Sequence, residues 1–257
     1  MIMSAITLAV AIIAHRGASY DAPENTLAAF KLGYAQQADG CELDFCSTKD
    51  HKLIVSHDGT TKRAAGVDKK ISDQTFDELR RLEVGQWGKW QGKGFSEKLP
   101  TLDEALALIP DGRKFYLHSY CDESDLEQAR DAVMRSGKKP EQVVFISFEL
   151  SACKRFKQLC PQNKVFWLRS HKAKGPTIDE FIEPAKAAGV DGLGLDSRFP
   201  ITKALGEKVC QAGLELHVWT IDKVDDAKRW AACGVKSITT NRPQWLREQL
   251  KALQTPQ

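Results

Sequence analysis

The chain has almost no excess of either charge: 37 Lys and Arg stand against 34 Asp and Glu, a net +3 over 257 residues. The basic residues are interspersed with acidic ones rather than gathered on one face, which argues against nucleic acid as a partner. There is no Cys-x-x-Cys pair, and the seven cysteines are odd in number and scattered. A disulfide framework is therefore not expected, and most of them read as small buried apolar residues. Cys41 and Cys46 straddle an acidic strand and Cys121 follows another; a reactive thiol there is less expected than plain packing. No apolar run is long enough to span a bilayer. Met1 to Ala14 is mostly apolar, but it lacks a positive leading region and runs directly into a strand. It reads as a short added extension or the remnant of an export signal on a soluble chain, cytoplasmic or periplasmic. A glycine-rich phosphate loop is also missing. What remains, 42% apolar and 28% charged residues, is ordinary globular composition with nothing to suggest disorder. The length suits one large domain.

The strand and helix signals alternate. After Ile12–Ala14 and Cys41–Phe45, strand-like runs occur at Lys114–Tyr120, Val143–Phe148, Val165–Arg169, Gly192–Asp196, Glu215–Thr220 and Ser237–Thr240. A first helix starts near Asn25 and Thr26 and runs to about Gln37. Later helices read as Glu123–Ser136, Ser151–Cys160, Thr177–Ala188, Thr202–Ala212, Lys223–Cys233 and Pro243–Leu253. Gly137, Gly189, Gly213 and Gly234 fall where helices should stop. Eight β/α units predict a closed (β/α)₈ TIM barrel rather than an open doubly wound sheet, which usually has fewer units and a phosphate loop. After the second strand, Leu53–Ser56 reads as a hairpin partner, and a small insertion follows over residues 59–100. There, Thr75 to Leu82 reads as a short helix and Gly85 to Trp90 as a loop with two exposed aromatics. Trp87 and Trp90 either touch substrate or, the favoured reading, anchor the insertion to the rim. Thr101 with Glu104 is a capping-box pattern opening the next helix.

The chain is organised around Ile12-Ile13-Ala14-His15-Arg16-Gly17, an apolar strand that ends in an imidazole and a guanidinium. Parallel α/β folds place their chemistry at such carboxyl ends. Glu42 and Asp44 lie at i and i+2, so both carboxylates project to one side of their strand. His57-Asp58 then delivers a second imidazole. Two imidazoles titrating near neutrality can take a proton from a nucleophile and give one to a leaving oxygen; the alternative is two structural histidines. Glu42 and Asp44 suit a hard divalent cation, or else an ion pair with Arg16. Arg16 suits bidentate contact to a phosphate, or else a pair with Glu24 or Asp44. Glu24 itself fixes the loop or caps its helix. Trp219 either stacks on an alcohol moiety at the barrel mouth or packs the rim. His217 shares its side of the strand and reads as a satisfied core histidine, while His51, His171, Lys172 and Lys174 read as solvated loop residues.

Taken together, His15-Arg16-Gly17, Pro23-Glu24-Asn25-Thr26, Glu42-Leu43-Asp44 and His57-Asp58 resemble the motif set of the glycerophosphodiester phosphodiesterase family. Leu99 to Leu106, Val218-Trp219-Thr220 and Thr239 to Pro243 extend the resemblance over nearly the whole chain. The resemblance implies a TIM barrel and hydrolysis of a glycerophosphodiester to sn-glycerol 3-phosphate and an alcohol. It implies His15 and His57 as the acid/base pair, Arg16 toward phosphate, and a divalent metal, Mg²⁺ or Ca²⁺, at Glu42 and Asp44. The third strand departs from the family pattern, in which a Glu-x-Lys supplies a further ligand and a cation for phosphate. Here His118-Ser119-Tyr120 stands instead. An imidazole at 118 shifts preference toward Zn²⁺, Mn²⁺ or Co²⁺. Tyr120 can donate a hydrogen bond to phosphate but carries no charge at pH 7. The parent activity is therefore expected to be impaired or altered, by divergence or by redesign of the site, with redesign favoured because Ser119 also replaces a usual apolar residue. Two rival readings are a lyase-like relative of the toxin-type phospholipases D and an inactive barrel scaffold. Asn241, where relatives often carry Asp, is a milder departure.

Overall fold

In this computed structural model the described residues are 10–252; the apolar segment before Val10 and the predicted helix end at Leu253 lie outside them. Strand β1 (Ala11–Ala14) leads through a loop to helix α1 (Leu27–Ala35), strand β2 (Gly40–Ser47) and strand β3 (Leu53–Val55). The excursion that follows holds α2 (Lys62–Ala65) and α3 (Phe76–Arg80), and α4 (Leu102–Ala107) returns the chain to the barrel. Six repeats then follow: β4 (Lys114–Ser119), α5 (Leu126–Arg135), β5 (Val143–Ser147), α6 (Leu150–Leu159), β6 (Lys164–Arg169), α7 (Asp179–Ala188), β7 (Gly192–Asp196), α8 (Lys203–Gln211), β8 (Glu215–Trp219), α9 (Val224–Ala231), β9 (Ser237–Thr240) and α10 (Pro243–Ala252).

The parallel strands run β1-β9-β8-β7-β6-β5-β4-β2, and β1 pairs with β2, so the eight close into the expected TIM barrel. β3 is antiparallel and takes the edge of β2 at Phe45–Ser47, beyond the point where β1 stops. Alternation sorts the side chains. In β4, Phe115 and Leu117 face the large core between barrel and helices, while Tyr116 packs inside the barrel with Ile13, Val144, Ile146, Phe166 and Leu168. The β2–β4 register sets Asp44 opposite His118 and Glu42 opposite Tyr116.

The local signals behave as their chemistry requires. Thr26 caps α1 by accepting from the Ala29 amide, and Thr101 with Glu104 forms the predicted capping box. Thr75 and Glu78 form another in front of α3. The four glycines expected to end helices have φ between 64° and 83°. Two details differ from expectation. Helix α1 stops at Ala35, because Gln37 turns left-handed at φ 62°. Trp90 is buried at 4% exposure rather than exposed, held by Phe95 at 5.5 Å and covered by Lys89. The excursion carries a small core of its own, Ile54, Ile71, Leu79, Val84 and Leu99, so it is a structured element rather than a loose loop.

Candidate active site at the carboxyl ends of the strands

The β1–α1 loop is tied down by its backbone. Arg16 and Asn25 both lie in the left-handed region, at φ 56° and 57°, and the Asn25 amide donates to the Arg16 carbonyl at 3.0 Å. Gly17, at φ 79°, has to be glycine for a second reason: a Cβ there would sit 2.5 Å from the Ala29 carbonyl carbon of α1. This close approach turns His15 and Arg16 into the barrel mouth. The His15 amide donates to the Thr240 carbonyl at 2.8 Å, and its Nδ1 lies 2.7 Å from Asn241 Oδ1, so the end of β9 holds both backbone and ring.

Asp44 is the hub. It is 1% exposed, and its Oδ1 is 2.9 Å from His118 Nδ1 while its Oδ2 accepts from Asn25 Nδ2 at 2.8 Å and lies 3.1 Å from Arg16 Nε. Burial alone would raise its pKa; the hydrogen bond and charge of His118, with Arg16, outweigh that and hold the carboxyl far below its usual range. Glu42 accepts from the Arg16 amide at 3.0 Å. Burial, then the charge of Asp44, pushes its pKa well above the ordinary value. Oxygen and nitrogen atoms of Glu42, Asp44 and His118 all lie within 4.8 Å of one another.

His57, after β3, places Nδ1 2.8 Å from Asp58, whose other oxygen accepts from Arg63 Nε at 2.6 Å. Arg63, from the excursion, also reaches Glu24 at 2.9 Å, and Glu24 accepts from Arg16 at 2.8 Å. The Arg16 guanidinium is thus paired with both Glu24 and Asp44, the partners considered as its alternative to phosphate. Tyr120 stands just past β4 and is 45% exposed, its ring 4.4 Å from that of His118 and 5.6 Å from that of His57. Burial, with the charges of Asp44 and Glu42, raises its pKa, so the phenol stays neutral.

His15, Arg16, Glu42, Asp44, His57, His118, Tyr120 and Trp219 all line one cavity of about 290 Å³. Its opposite wall is apolar, from Ile146, Phe148, Phe166 and Leu168. Trp219 closes that side, donating Nε1–H to the Gly194 carbonyl at 3.0 Å and meeting Phe148 edge-on. His217 lies at the cavity floor, stacked on Phe166 at 3.9 Å with Nδ1 2.7 Å from Ser237 Oγ; it is a packed core histidine. His51 is solvent-exposed as expected, though its ring reaches Asp125 at 3.2 Å.

Comparison with known proteins decides the family. The model of the glycerophosphoryl diester phosphodiesterase family matches residues 15–245. A glycerophosphodiester phosphodiesterase of Caldanaerobacter subterraneus subsp. tengcongensis is 32% identical over 243 residues, covering 91% of this chain and 95% of that protein. The chain belongs to the glycerophosphoryl diester phosphodiesterase family. A glycerophosphodiester phosphodiesterase of Bacillus subtilis is 29% identical, covering 90% of this chain and 83% of the relative. An Oleispira antarctica phosphodiesterase solved in complex with the product sn-glycerol-3-phosphate superimposes with a TM-score of 0.82 at 25% identity, covering 96% of this chain and 99% of that one. Nothing in these comparisons supports a redesigned site. No helix among the described residues is long and apolar enough to cross a membrane.

Sequence reasoning missed two residues that hold this cavity in shape. Asn25 reads from the sequence as a helix start within the Pro23-Glu24-Asn25-Thr26 motif, with no role of its own, yet its side chain clamps Asp44, giving Nδ2 to the carboxylate and accepting from the Asp44 amide at 3.2 Å. Asp222 was not singled out; it accepts from the Asn241 amide at 2.9 Å and from Thr240 Oγ1 at 2.8 Å. An asparagine following a left-turning His-Arg-Gly was a readable hint for the first, whereas Asp222 has no local signature.

The histidines make stability depend on pH. Burial, then the neighbouring Arg16 charge, holds His15 down to about 4, and burial also lowers His217. Each binds its proton more readily when the chain unfolds, so their stabilising effect is full above pH 6.5 and falls as pH drops toward 4. For His15, open on one side to the cavity, the loss is on the order of 2 kcal/mol after allowance for water. The urea midpoint should therefore fall between pH 7.5 and pH 5, and His15→Asn should shrink that fall; an unchanged pH dependence in the variant would contradict the assignment.

Proposed function

We propose that the chain hydrolyses glycerophosphodiesters to sn-glycerol 3-phosphate and an alcohol, using a divalent cation held by Glu42, Asp44 and His118. The observation that carries this reading is the convergence on one cavity of two imidazoles and a buried cluster of two carboxylates with a third imidazole. The cluster suits a cation because its own counter-charges are spent: Arg16 is shared with Glu24, and Glu42 is left beside Asp44 with its pKa driven up. His118 turns Nδ1 to both carboxylates, 2.9 Å from Asp44 and 3.9 Å from Glu42, which fits a ligand role for that nitrogen. When bound, the ion would supply Lewis-acid stabilisation of charge on the phosphate.

The chain's own residues do the rest. With Nδ1 on Asn241 and on Asp58 respectively, His15 and His57 keep Nε2 for the reacting oxygens. One removes the proton of the attacking oxygen and the other protonates the leaving alcohol. Arg16 faces the phosphate with the donors that Glu24 and Asp44 do not occupy. Tyr120, neutral, donates a hydrogen bond to a phosphate oxygen where the family carries a cation, and Trp219 bounds the alcohol side of the cavity. The mixed oxygen–nitrogen ligand set favours Mn²⁺, Co²⁺ or Zn²⁺ over Mg²⁺ and Ca²⁺.

A panel of these five ions crossed with glycerophosphocholine and glycerophosphoethanolamine, followed by phosphorus NMR, tests the reading. Hydrolysis to glycerol 3-phosphate with Mn²⁺, Co²⁺ or Zn²⁺ is expected, and a stable cyclic phosphate as sole product would favour a lyase instead. His118→Glu with Tyr120→Lys should move the preference to Mg²⁺ and raise turnover by about 10²-fold. Equal turnover before and after would show that these two positions do not limit the reaction.

A further inference from the structure

We infer that Asp222 is a positioning residue that sets the tautomer of His15 through the side chain of Asn241. The inference rests on the hydrolytic reading above only for its consequence on rate. Asp222 sits three residues beyond β8, and its carboxylate meets three donors: Thr240 Oγ1 at 2.8 Å and the Asn241 amide at 2.9 Å, both on Oδ1, and Asn241 Nδ2 at 2.5 Å on Oδ2. A carboxylate only accepts, so the Asn241 side chain has one orientation in which its NH₂ is satisfied. That orientation turns Asn241 Oδ1 toward His15 Nδ1 at 2.7 Å and Ser19 Oγ at 2.9 Å. Ser19 donates, and His15 must donate as well, because it too faces an acceptor. The proton of the neutral ring is thereby placed on Nδ1, and the lone pair on Nε2, the nitrogen left to the cavity. Without Asp222 the amide has no reason to prefer this orientation: flipped, it would offer its NH₂ to Nδ1 and move the ring proton to Nε2. A ring in that state cannot accept a proton from the attacking oxygen.

The isosteric change Asp222→Asn separates positioning from mere structure. Its carbonyl oxygen can keep Thr240 Oγ1 and the Asn241 amide, so the β8 and β9 ends stay tied, but its new NH₂ then faces the Asn241 side chain and forces the flip. The double change Asp222→Asn with Asn241→Asp exchanges the two groups and restores an acceptor at His15 with the net charge unchanged. Nitrogen NMR of the full chain at pH 8, with and without Mg²⁺, reads the tautomer directly, the His15 signals being assigned against His15→Gln. Asp222→Asn is expected to exchange the protonated and unprotonated ring nitrogens and to lower kcat by about 10²-fold or more with KM within about threefold, as wrong-tautomer variants do elsewhere. The double variant is expected to return the Nδ1–H form and recover kcat to within about tenfold of the starting chain. The inference is overturned if Asp222→Asn retains the Nδ1–H form, or if the double variant, folded by circular dichroism, does not recover it. A wild-type chain that releases no product from any diester would sink the hydrolytic reading, while the NMR arm would still decide the relay.

Discussion

His57→Ala should lower kcat for glycerophosphodiester hydrolysis by about 10²–10⁴-fold with the fold intact, the range that a positioned proton-transfer group commonly contributes. The ring is partly exposed at the cavity, and its only hydrogen-bond contact among the described residues is Asp58 at 2.8 Å. Removing it leaves Asp58 still bound by Arg63 Nε, so the excursion keeps its attachment to the rim. KM should change by less than about threefold, since the proposed mechanism has Arg16 and the cation site, rather than His57, meet the substrate charge. A coupled assay for glycerol 3-phosphate, run on freshly unfolded and refolded controls to match active concentration, reads both constants. Retention of more than a tenth of the activity would remove His57 from the chemistry and leave His15 without a partner.

Asp44→Ala should be the most costly change for the architecture of the site. One side chain, 1% exposed, faces His118 at 2.9 Å, Asn25 at 2.8 Å and Arg16 at 3.1 Å. Its loss leaves the Arg16 guanidinium with Glu24 alone and strands the His118 imidazole in a buried setting, and breaking a buried charge pair in this way costs about 3–5 kcal/mol. Urea unfolding should show a correspondingly lower midpoint, and calorimetric titration with Mn²⁺ should show no binding at concentrations that saturate the unaltered chain. Asp44→Asn, which keeps the volume and one acceptor, should recover much of the stability but not the ion affinity. If Asp44→Ala unfolds at the same urea concentration as the parent, Glu24 alone suffices for Arg16, His118 must have another partner, and the hub assignment is wrong.

The residues legible in the sequence were those whose chemistry depends on local spacing. Glu42 and Asp44 at i and i+2 had to share a strand face, and an apolar run ending in His15 and Arg16 had to deliver them to a strand's carboxyl end. His118 was legible as a departure in an otherwise regular motif set, and its place beside Asp44 follows from parallel register once β2 and β4 are neighbours. Trp90 was misread because two tryptophans in a Gly- and Lys-rich stretch look exposed; the burial comes from Phe95 and Lys89, which the pattern does not place against it.

The eight repeats, the paired carboxylates and the two imidazoles at strand ends were determined by the sequence alone, because strand pleat, helix period and turn chemistry act over a few residues. Tertiary structure decided what those groups do to one another: that Arg16 is shared between Glu24 and Asp44, that Asn25 clamps Asp44, and that Asp222 reaches Asn241 and through it His15. Arg16 and Glu24 meet within one loop, Arg16 and Asn25 reach Asp44 because β1 lies beside β2, and Asp222 and Asn241 reach His15 only through closure of the barrel, which brings β9 against β1.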